Sequence, residues 1–418
     1  MLVAAAALAA GTISPPCLAR DLTLAQTEKL LAANNRELAA ARRAVESAQA
    51  QGLIAGARPN ATLSVNSSSI NTSNPGLGPG PLYDKRADTV FRIDQPFERG
   101  NKRELRLDAA AGLERAAQAD SLDALRQQLA TVRGAYYDLK QAQAKLGVLG
   151  ETAQLFSGTF SAAQARLKAG DLAAADVAKV QVDYERAQND ARGAQGELVR
   201  AQTALAYLIG LESEATELRA VDDWPPPERA DAQALEQAIE NRPDVLAAKA
   251  RVDAAEKLRD LAKAQRTRDI TLGAQYERFP GSLPINSVGF GISVPLFTGN
   301  DFSGDIQKAE VDRYAALDAL GRARAIAATE LRRAAADLNA AAERVERFDA
   351  SLLGAAQRSA QAAEFAFERG AISVLEVLDA RRTLRAVQLE ALAARGDLAK
   401  ALAAWRASQA SAQSLGQP

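Results

Sequence analysis

The chain has 418 residues, of which only 5% are aromatic, and 51 Lys and Arg against 52 Asp and Glu give a net charge of −1. This balance gives no electrostatic indication that nucleic acid or an acidic ligand is a partner. There is no histidine, and the single cysteine and the single methionine are Cys17 and Met1. The body of the chain therefore cannot form a disulfide, a zinc site or a Cys/His catalytic pair.

The first 20 residues are apolar as far as Pro15-Pro16, and they predict a secretory signal peptide over residues 1–19. Cleavage after Ala19 places small residues at positions −3 and −1. Cys17 also allows a lipoprotein interpretation, although the two prolines before it are a poor context for lipidation. Beyond residue 20 no segment is long, apolar and proline-free enough for a transmembrane helix. We therefore expect a protein that is periplasmic, secreted or a β-barrel.

The first structural repeat is predicted over residues 20–210. A helix over residues 22–57 ends before Pro59. Two strands follow, at about 60–70 and 87–97, and a Pro- and Gly-rich loop separates them. In the second strand apolar and polar side chains alternate, as in a sheet with two different faces.

A helix hairpin is predicted over residues 101–210, because a long proline-free stretch follows the second strand. Its first helix covers residues 101–168, which corresponds to about 100 Å at 1.5 Å per residue. A turn near Gly170 leads into the return helix. From Val177 to Leu208 the apolar residues of that helix alternate between spacings of three and four, which is typical of a coiled coil.

The same pattern returns after a non-repetitive linker predicted over residues 211–231, and the second repeat covers residues 232–410. Its glycine turn at Gly370 lies 200 residues after the first one (370 − 170). The duplicated pattern indicates an internally repeated fold. The expected remaining parts are strands at about 269–279 and 287–297, a helix hairpin over 301–410 and a flexible tail over 411–418.

Each half thus carries two strands of about ten residues with one apolar and one polar face. Such strands cross a bilayer only within a closed barrel, because lipid satisfies no backbone hydrogen bond. Four strands cannot close a barrel of useful bore, so we expect an oligomer that shares one barrel. Heptad helices alone are more often rods or scaffolds, and alternating strands alone are more often half-buried sheet. Their combination with an export signal favours a channel.

An enzyme is not expected, because no residues in the sequence assemble a nucleophile, a base and an oxyanion donor. No cofactor and no metal site are expected either.

Related motifs occur in both halves of the chain. They are Arg166-Leu167-Lys168-Ala169-Gly170 in the first half, and Phe367-Glu368-Arg369-Gly370 and Pro295-Leu296-Phe297-Thr298-Gly299-Asn300 in the second. With them the chain resembles the TolC-type outer membrane factors, the outer membrane efflux protein family, over essentially residues 21–410. A narrower resemblance, to the cobalt–zinc–cadmium cation efflux branch, is carried by Asn241-Arg242-Pro243-Asp244-Val245-Leu246 and Gln275-Tyr276-Glu277-Arg278-Phe279-Pro280.

The resemblance implies a mainly α chain with a membrane β-barrel, four strands and long coiled-coil helices per chain. A homotrimer would form a twelve-stranded barrel in outer membrane lipid and a periplasmic α-helical barrel, in a Gram-negative bacterium. A periplasmic adaptor (membrane fusion protein) would link it to an inner-membrane RND pump. The implied cargo is a divalent heavy-metal cation such as cobalt, zinc or cadmium. Drug or peptide export, and a periplasmic coiled-coil scaffold without a pore, are the alternatives.

The resemblance also places the two glycine turns at the periplasmic tip where the adaptor docks. A helix-terminating cap is the alternative reading of the first turn. The residues implied at this docking tip are Arg166, Leu167, Gly170, Phe367, Arg369 and Gly370.

Acidic residues close the tunnel at this tip in the family, and motif position implies Glu376 and Asp379 in the second half and Asp176 in the first. Asp171, at the same turn, is a further candidate. Threefold symmetry would arrange such carboxylates in rings that attract cations. The alternatives are a solvated helix face for Glu376 and Asp379, and first-turn acids that complement the helix dipole for Asp176 and Asp171.

The chain departs from some family members at Ile372, where they have a basic residue, and at Phe367, where they have a tyrosine. The salt-bridge lock of those relatives is therefore either absent or rebuilt, and Arg369 and Arg381 are the candidates for rebuilding it.

Overall fold

The structure is a computed structural model that describes residues 20–69, 87–231, 235–279 and 285–415. Three features expected from the sequence lie outside these residues. They are the signal peptide with Cys17, most of the two hairpin loops, and the last three residues of the tail.

The described residues form long helices and two sheets. In chain order the elements are β1 (Arg20–Leu22), α1 (Leu24–Asn34), α2 (Arg36–Gly56), β2 (Thr62–Ser68), β3 (Asp88–Phe97), α3 (Lys102–Ala169), α4 (Ala174–Ile209), β4 (Leu218–Ala220), α5 (Leu235–Glu240), α6 (Pro243–Ala264), β5 (Ile270–Phe279), β6 (Ile285–Ser293), α7 (Ser303–Arg347), α8 (Leu353–Glu368), α9 (Val374–Gln409) and α10 (Ala412–Leu415). A 3-10 helix (Glu212–Glu217) precedes β4, and a π-helical turn (Phe348–Leu352) joins α7 to α8.

The helix expected over residues 22–57 is divided into α1 and α2 at Asn35. Asn35 has an extended backbone, and its N–H bonds to the carbonyl of Leu31 and ends α1. Its side-chain oxygen then accepts the N–H of Leu38 at 3.1 Å, while its amide group donates to the carbonyl of Leu208 at 3.0 Å. A local cap and a distant carbonyl together therefore override the helical pattern.

Two compact units can be distinguished in the chain, and each takes segments from both sequence repeats. One contains residues 1–39, 124–235 and 328–410, and the other contains residues 40–123, 236–327 and 411–418.

The second of these units contains a four-stranded antiparallel sheet with the order β2-β3-β5-β6. Val65 pairs with Phe91, Phe91 with Tyr276, and Tyr276 with Val288, so these four apolar residues form one row across the sheet. Arg92 is one residue further along β3 and therefore points to the other face. The sheet has one apolar and one polar face, and β2 and β6 are its edges.

A buried lysine joins this sheet to the helix that follows β3. The ammonium of Lys102, at the start of α3, donates at 2.8 Å both to the carbonyl of Thr267 and to Oδ1 of Asp269. The same carboxylate accepts the backbone N–H of Arg99 at 2.9 Å. The strand-to-helix corner after β3 is thereby fixed to the segment that enters β5.

The motif around Arg242 has a structural explanation in the same unit. Arg242 is fully buried, and its Nη2 lies 2.6 Å from Oδ2 of Asp244. Pro243 occupies the first position of α6, where its missing N–H costs no hydrogen bond. Packing between α6 and α7 then buries a small cluster of Val245, Ala248, Val252, Leu320 and Ala327.

The first unit is centred on Tyr136 of α3. Its hydroxyl lies 3.0 Å from the carbonyl oxygen of Leu22 and 2.9 Å from Oδ2 of Asp222, and it accepts the N–H of Asp222 at 3.1 Å. Lys140 donates to the carbonyl of Asp222 as well, and Trp224 stacks on Tyr137. The predicted linker is thus anchored to α3, and its strand β4 pairs in parallel with β1, a two-strand sheet that the sequence analysis did not predict.

Among the helices in the described part of the chain, none contains a stretch that is both long and apolar enough to cross a membrane.

Replacing Tyr136 by Phe should destabilise the first unit by about 1–3 kcal/mol, because buried partners lose a hydrogen bond. Burial raises the pKa of the Tyr136 phenol, so the folded chain keeps it neutral where the unfolded chain ionises it. This contribution to stability is present below the unfolded value of about 10 and is lost as the pH rises above it.

Thermal unfolding of Tyr136→Phe in detergent between pH 7 and pH 11 should show both effects, with faster amide exchange in β1 and β4 at pH 7. The matched control is Tyr314→Phe, because Tyr314 is 57% exposed. Equal unfolding temperatures and equal alkaline losses for the two variants would contradict the assignment.

Candidate functional site

The polar face of the four-stranded sheet carries a network centred on Arg92. Nε of Arg92 donates to both carboxylate oxygens of Asp94, at 3.0 and 2.7 Å, and Nη1 donates to Oε1 of Gln275 at 3.1 Å. Gln275 in turn donates to Glu277, whose other oxygen accepts the hydroxyl of Ser287 at 3.0 Å. The network therefore spans β3, β5 and β6.

A glycine makes room for the central ion pair. A Cβ atom at Gly273 would lie 2.5 Å from Oδ1 of Asp94 and 2.9 Å from Nη2 of Arg92. Any other residue at this position would displace one of the two side chains. Gly273 thus allows the Arg92–Asp94 pair to lie flat across the sheet.

The opposite face of this sheet is apolar and exposed. Phe290 is 86% exposed and Leu63 is 65% exposed, and further large apolar side chains extend the surface in both directions. The others on this face are Val65, Phe91, Ile93, Leu272, Tyr276, Val288 and Ile292. A contiguous apolar surface of this kind marks a contact with lipid or with another protein.

The two helix hairpins of the first unit end in equivalent turns. Gly170 and Gly370 both have positive φ angles, of +84° and +73°. Each donates its N–H to the residue three positions back, and the next residue, Asp171 or Ala371, donates to the residue five positions back. These are Schellman motifs, in which a left-handed glycine terminates the helix.

Part of the predicted docking tip is brought together at these turns. The guanidinium of Arg166 lies 5.3 Å from the centre of the Phe367 ring, and that of Arg369 lies 4.9 Å from the centre of the Phe365 ring. The exposed side chain of Leu167 continues this surface. A groove of about 710 Å³ begins here, between α3, α8 and α9, and its walls include Leu155, Val377 and Arg381.

The predicted acidic residues are placed in different environments. Glu376 belongs to a capping box, because its carboxylate accepts the N–H of Ser373 at 2.8 Å while Ser373 caps α9. Asp176 lies 3.3 Å from the ammonium of Lys179, one turn later on the same helix. Asp171 and Asp379 are exposed, and the carboxylate of Asp379 makes no ion pair with any described residue.

Arginine pairs between the hairpins were not predicted from the sequence. Arg382 of α9 binds Asp183 of α4, and Nη1 of Arg385 lies 3.2 Å from Oδ2 of Asp190. Arg382 and Asp183 are 199 residues apart, close to the repeat period. The sequence signal that could have predicted these ion pairs is the presence of opposite charges at nearly equivalent positions of the two repeats.

Arg381, one of the two residues considered for a rebuilt lock, forms contacts with two helices. Its Nε donates to Glu364 of α8 at 2.9 Å, and its Nη1 donates to the hydroxyl of Thr159 of α3 at 3.2 Å. Arg369 instead stacks on Phe365 within its own hairpin.

The model of the outer membrane efflux protein family matches residues 29–211 and 234–410, which is most of both repeats. The chain belongs to this family. The resemblance seen in the sequence motifs is thereby confirmed.

Two similar proteins and one similar solved structure support this assignment. The cobalt-zinc-cadmium resistance protein CzcC of Cupriavidus metallidurans is 27% identical over 385 residues, which cover 90% of this chain and 87% of CzcC. Protein CyaE of Bordetella pertussis is 33% identical over 258 residues, which cover 59% of this chain and 54% of CyaE. The outer membrane protein VceC of Vibrio cholerae has a TM-score of 0.75 at 20% identity, covering 93% of this chain and 96% of VceC. The likeness to VceC confirms the predicted fold class.

Substituting Gly370 by Ala should destabilise the second hairpin end by about 1–2 kcal/mol, because an L-residue is strained at positive φ. No atom lies within 4 Å of the added Cβ, so the backbone alone accounts for this cost. Amide exchange at residues 366–372 should accelerate in the variant.

The matched control is Gly193→Ala in the exposed interior of α4, which should instead stabilise by roughly 0.5–1 kcal/mol. If the two glycine variants changed stability in the same direction, the left-handed turn would not be what holds this hairpin end.

Proposed function

We propose that three copies of this chain form an outer membrane exit duct, each contributing β2, β3, β5 and β6 to one twelve-stranded barrel. The observation that carries the proposal is the sheet with one apolar face and two edge strands that pair with no further strand in the described part of the chain. In lipid the edge strands would leave N–H and C=O groups without partners. Pairing β2 of one copy with β6 of the next satisfies these groups and closes a ring.

The apolar face then contacts lipid and the polar face lines the pore, as the alternation in membrane barrels requires. The duct lies in the outer membrane of a Gram-negative bacterium and performs no chemistry. It works with a periplasmic adaptor and an inner-membrane RND pump, and the adaptor docks at the hairpin ends around Gly170 and Gly370.

The cargo proposed for this duct is a divalent heavy-metal cation such as cobalt, zinc or cadmium. The support is the match to CzcC over 90% of the chain. The sequence offers no histidine, and its single cysteine and methionine lie at the N-terminus, so soft coordination in the duct cannot select the metal. The partner pump therefore selects the cargo. The lack of soft ligands equally suits a duct for drugs or peptides, which is the second candidate.

Channel formation is tested with the purified full chain in planar bilayers and by light scattering in detergent. We expect discrete conductance steps and a trimer mass. A monomer, or a trimer that produces no conductance, would support the coiled-coil scaffold instead.

Cargo is tested by deleting the gene and measuring tolerance to cobalt, zinc and cadmium beside tolerance to a panel of drugs. Loss of metal tolerance that the intact gene restores is the expected result. Unchanged metal tolerance with loss of drug tolerance would replace the metal assignment by the second candidate.

The acidic candidates at the hairpin ends can be ranked in the same bilayers. Asp379→Asn should lower the cation-to-anion permeability ratio by roughly twofold, because its carboxylate is exposed and unpaired among the described residues. Glu376→Gln should change the ratio less, because a glutamine also completes a capping box and the carboxylate it replaces is already bonded at the helix start. A larger effect from Glu376→Gln would show that the capping glutamate is the entrance acid.

A further inference from the structure

Arg92 and Asp94, in the middle of the sheet's polar face, form a pair whose two charges cancel, and the carboxylate of Glu277 on the same face is bonded to Gln275 and Ser287. Arg92 is the one cation that the described strands place on this face. It is bound by Asp94 through two hydrogen bonds. Nη1 of the same guanidinium donates to Oε1 of Gln275 on the neighbouring strand at 3.1 Å. The pair thus presents no net charge above the sheet.

The strand register explains how the pair can lie flat. Asp94 is opposite Gly273, and Gly273 is opposite Gly291, so two glycines follow one another across β5 and β6 beside the pair. A Cβ at Gly273 would overlap with both charged side chains. A Cβ at Gly291 would lie 3.7 Å from Nη2 of Arg92, which is an ordinary contact. An added methyl group would therefore force the charged pair to move at Gly273 but not at Gly291.

From this arrangement we infer that Asp94 and Gly273 are specificity-determining residues of the pore. Asp94 neutralises Arg92, and Gly273 lets the neutralised pair lie against the wall. The inference rests on the proposed function, in which this face lines the pore.

The physical reason is the threefold repetition of the site. Without Asp94, three copies would place three guanidinium groups at one level of the barrel with no carboxylate bonded to them, because Glu277 reaches Arg92 only through Gln275. Rings of arginine select anions and repel cations, most strongly where the wall excludes water. A duct for divalent cations must avoid such a ring. The pairing with Asp94 achieves this while Arg92 still bonds to Gln275 on the next strand.

The test measures reversal potentials of the full-length trimer in planar bilayers under a salt gradient, with KCl as the probe. Asp94→Asn should lower the cation-to-anion permeability ratio by roughly threefold, and by more at low salt because screening weakens. Arg92→Gln combined with Asp94→Asn should restore the wild-type ratio, since neither charge remains. This rescue separates an electrostatic role from a structural one.

Gly273→Ala should also reduce single-channel conductance, because it forces Arg92 or Asp94 away from the wall. Gly291→Ala is the matched control, with the same added methyl group on the same face. Circular dichroism and the trimer mass establish that each variant is folded.

The inference is overturned if Asp94→Asn keeps the wild-type ratio, or if the double variant behaves like the single one. It is also overturned if the two glycine variants have equal conductance. A wild-type chain without conductance would instead refute the proposed function, so the two failures are distinguishable.

Discussion

A peptide group in lipid has no water to bond to, and the proposed duct places the sheet of this chain under that constraint. Four strands satisfy one another internally, and no described residue pairs with the outer edges of β2 and β6. The apolar face and the two edge strands both have the form expected of one part of a larger barrel. A single chain cannot complete it, because four strands are too few to curve into a ring with an interior. In the proposed duct, oligomerisation is therefore what completes the sheet.

On the polar face of the sheet, the charge of Arg92 is compensated by Asp94 on the same strand. A single arginine exposed to water has little effect on the free energy of folding. In the proposed trimer, three symmetry-related arginines would dominate the local electrostatic potential. The structure supplies the compensating acid on the same strand and a space without a side chain beside it. Three residues, Arg92, Asp94 and Gly273, therefore determine both how this ion pair packs against the sheet and how its charges are balanced.

Periodicity was sufficient to predict the main elements from the sequence. Two-residue alternation indicated the strands β3, β5 and β6, and the spacing of three and four indicated the helices α4 and α9. The break at Asn35 could not be read in this way, because it depends on a bond to the carbonyl of Leu208, 173 residues away. The short strands β1 and β4 have only three residues each, too few to show any period. The π-helical turn at Phe348–Leu352 interrupts a continuous helical pattern without a proline or glycine signal.

The glycine turns at the hairpin ends were predictable from the sequence, while the roles of the candidate residues beside them stay predictions. Gly170 and Gly370 occupy left-handed turns, which their place after a helix had indicated. Glu376 looked like a free acid in the sequence, yet its spacing of three from Ser373 is also that of a capping box. Spacing alone cannot distinguish an acid that faces a passage from one that bonds to its own backbone. The carboxylate of Glu376 bonds to the N–H of Ser373 at the start of its own helix, and its role at an entrance stays a prediction.

The parallel pairing of β1 with β4 has a consequence for how the chain is made. The N–H of Leu24 binds the carboxylate of Asp222, and these residues are 198 positions apart. Because β4 lies just beyond the end of the first repeat, β1 finds its partner only after that whole repeat has been made. Contacts of such long sequence separation form slowly, and an unpaired strand is prone to aggregate in the meantime. Until β4 has followed, β1 and the N–H of Leu24 lack the partners that they have in the folded unit.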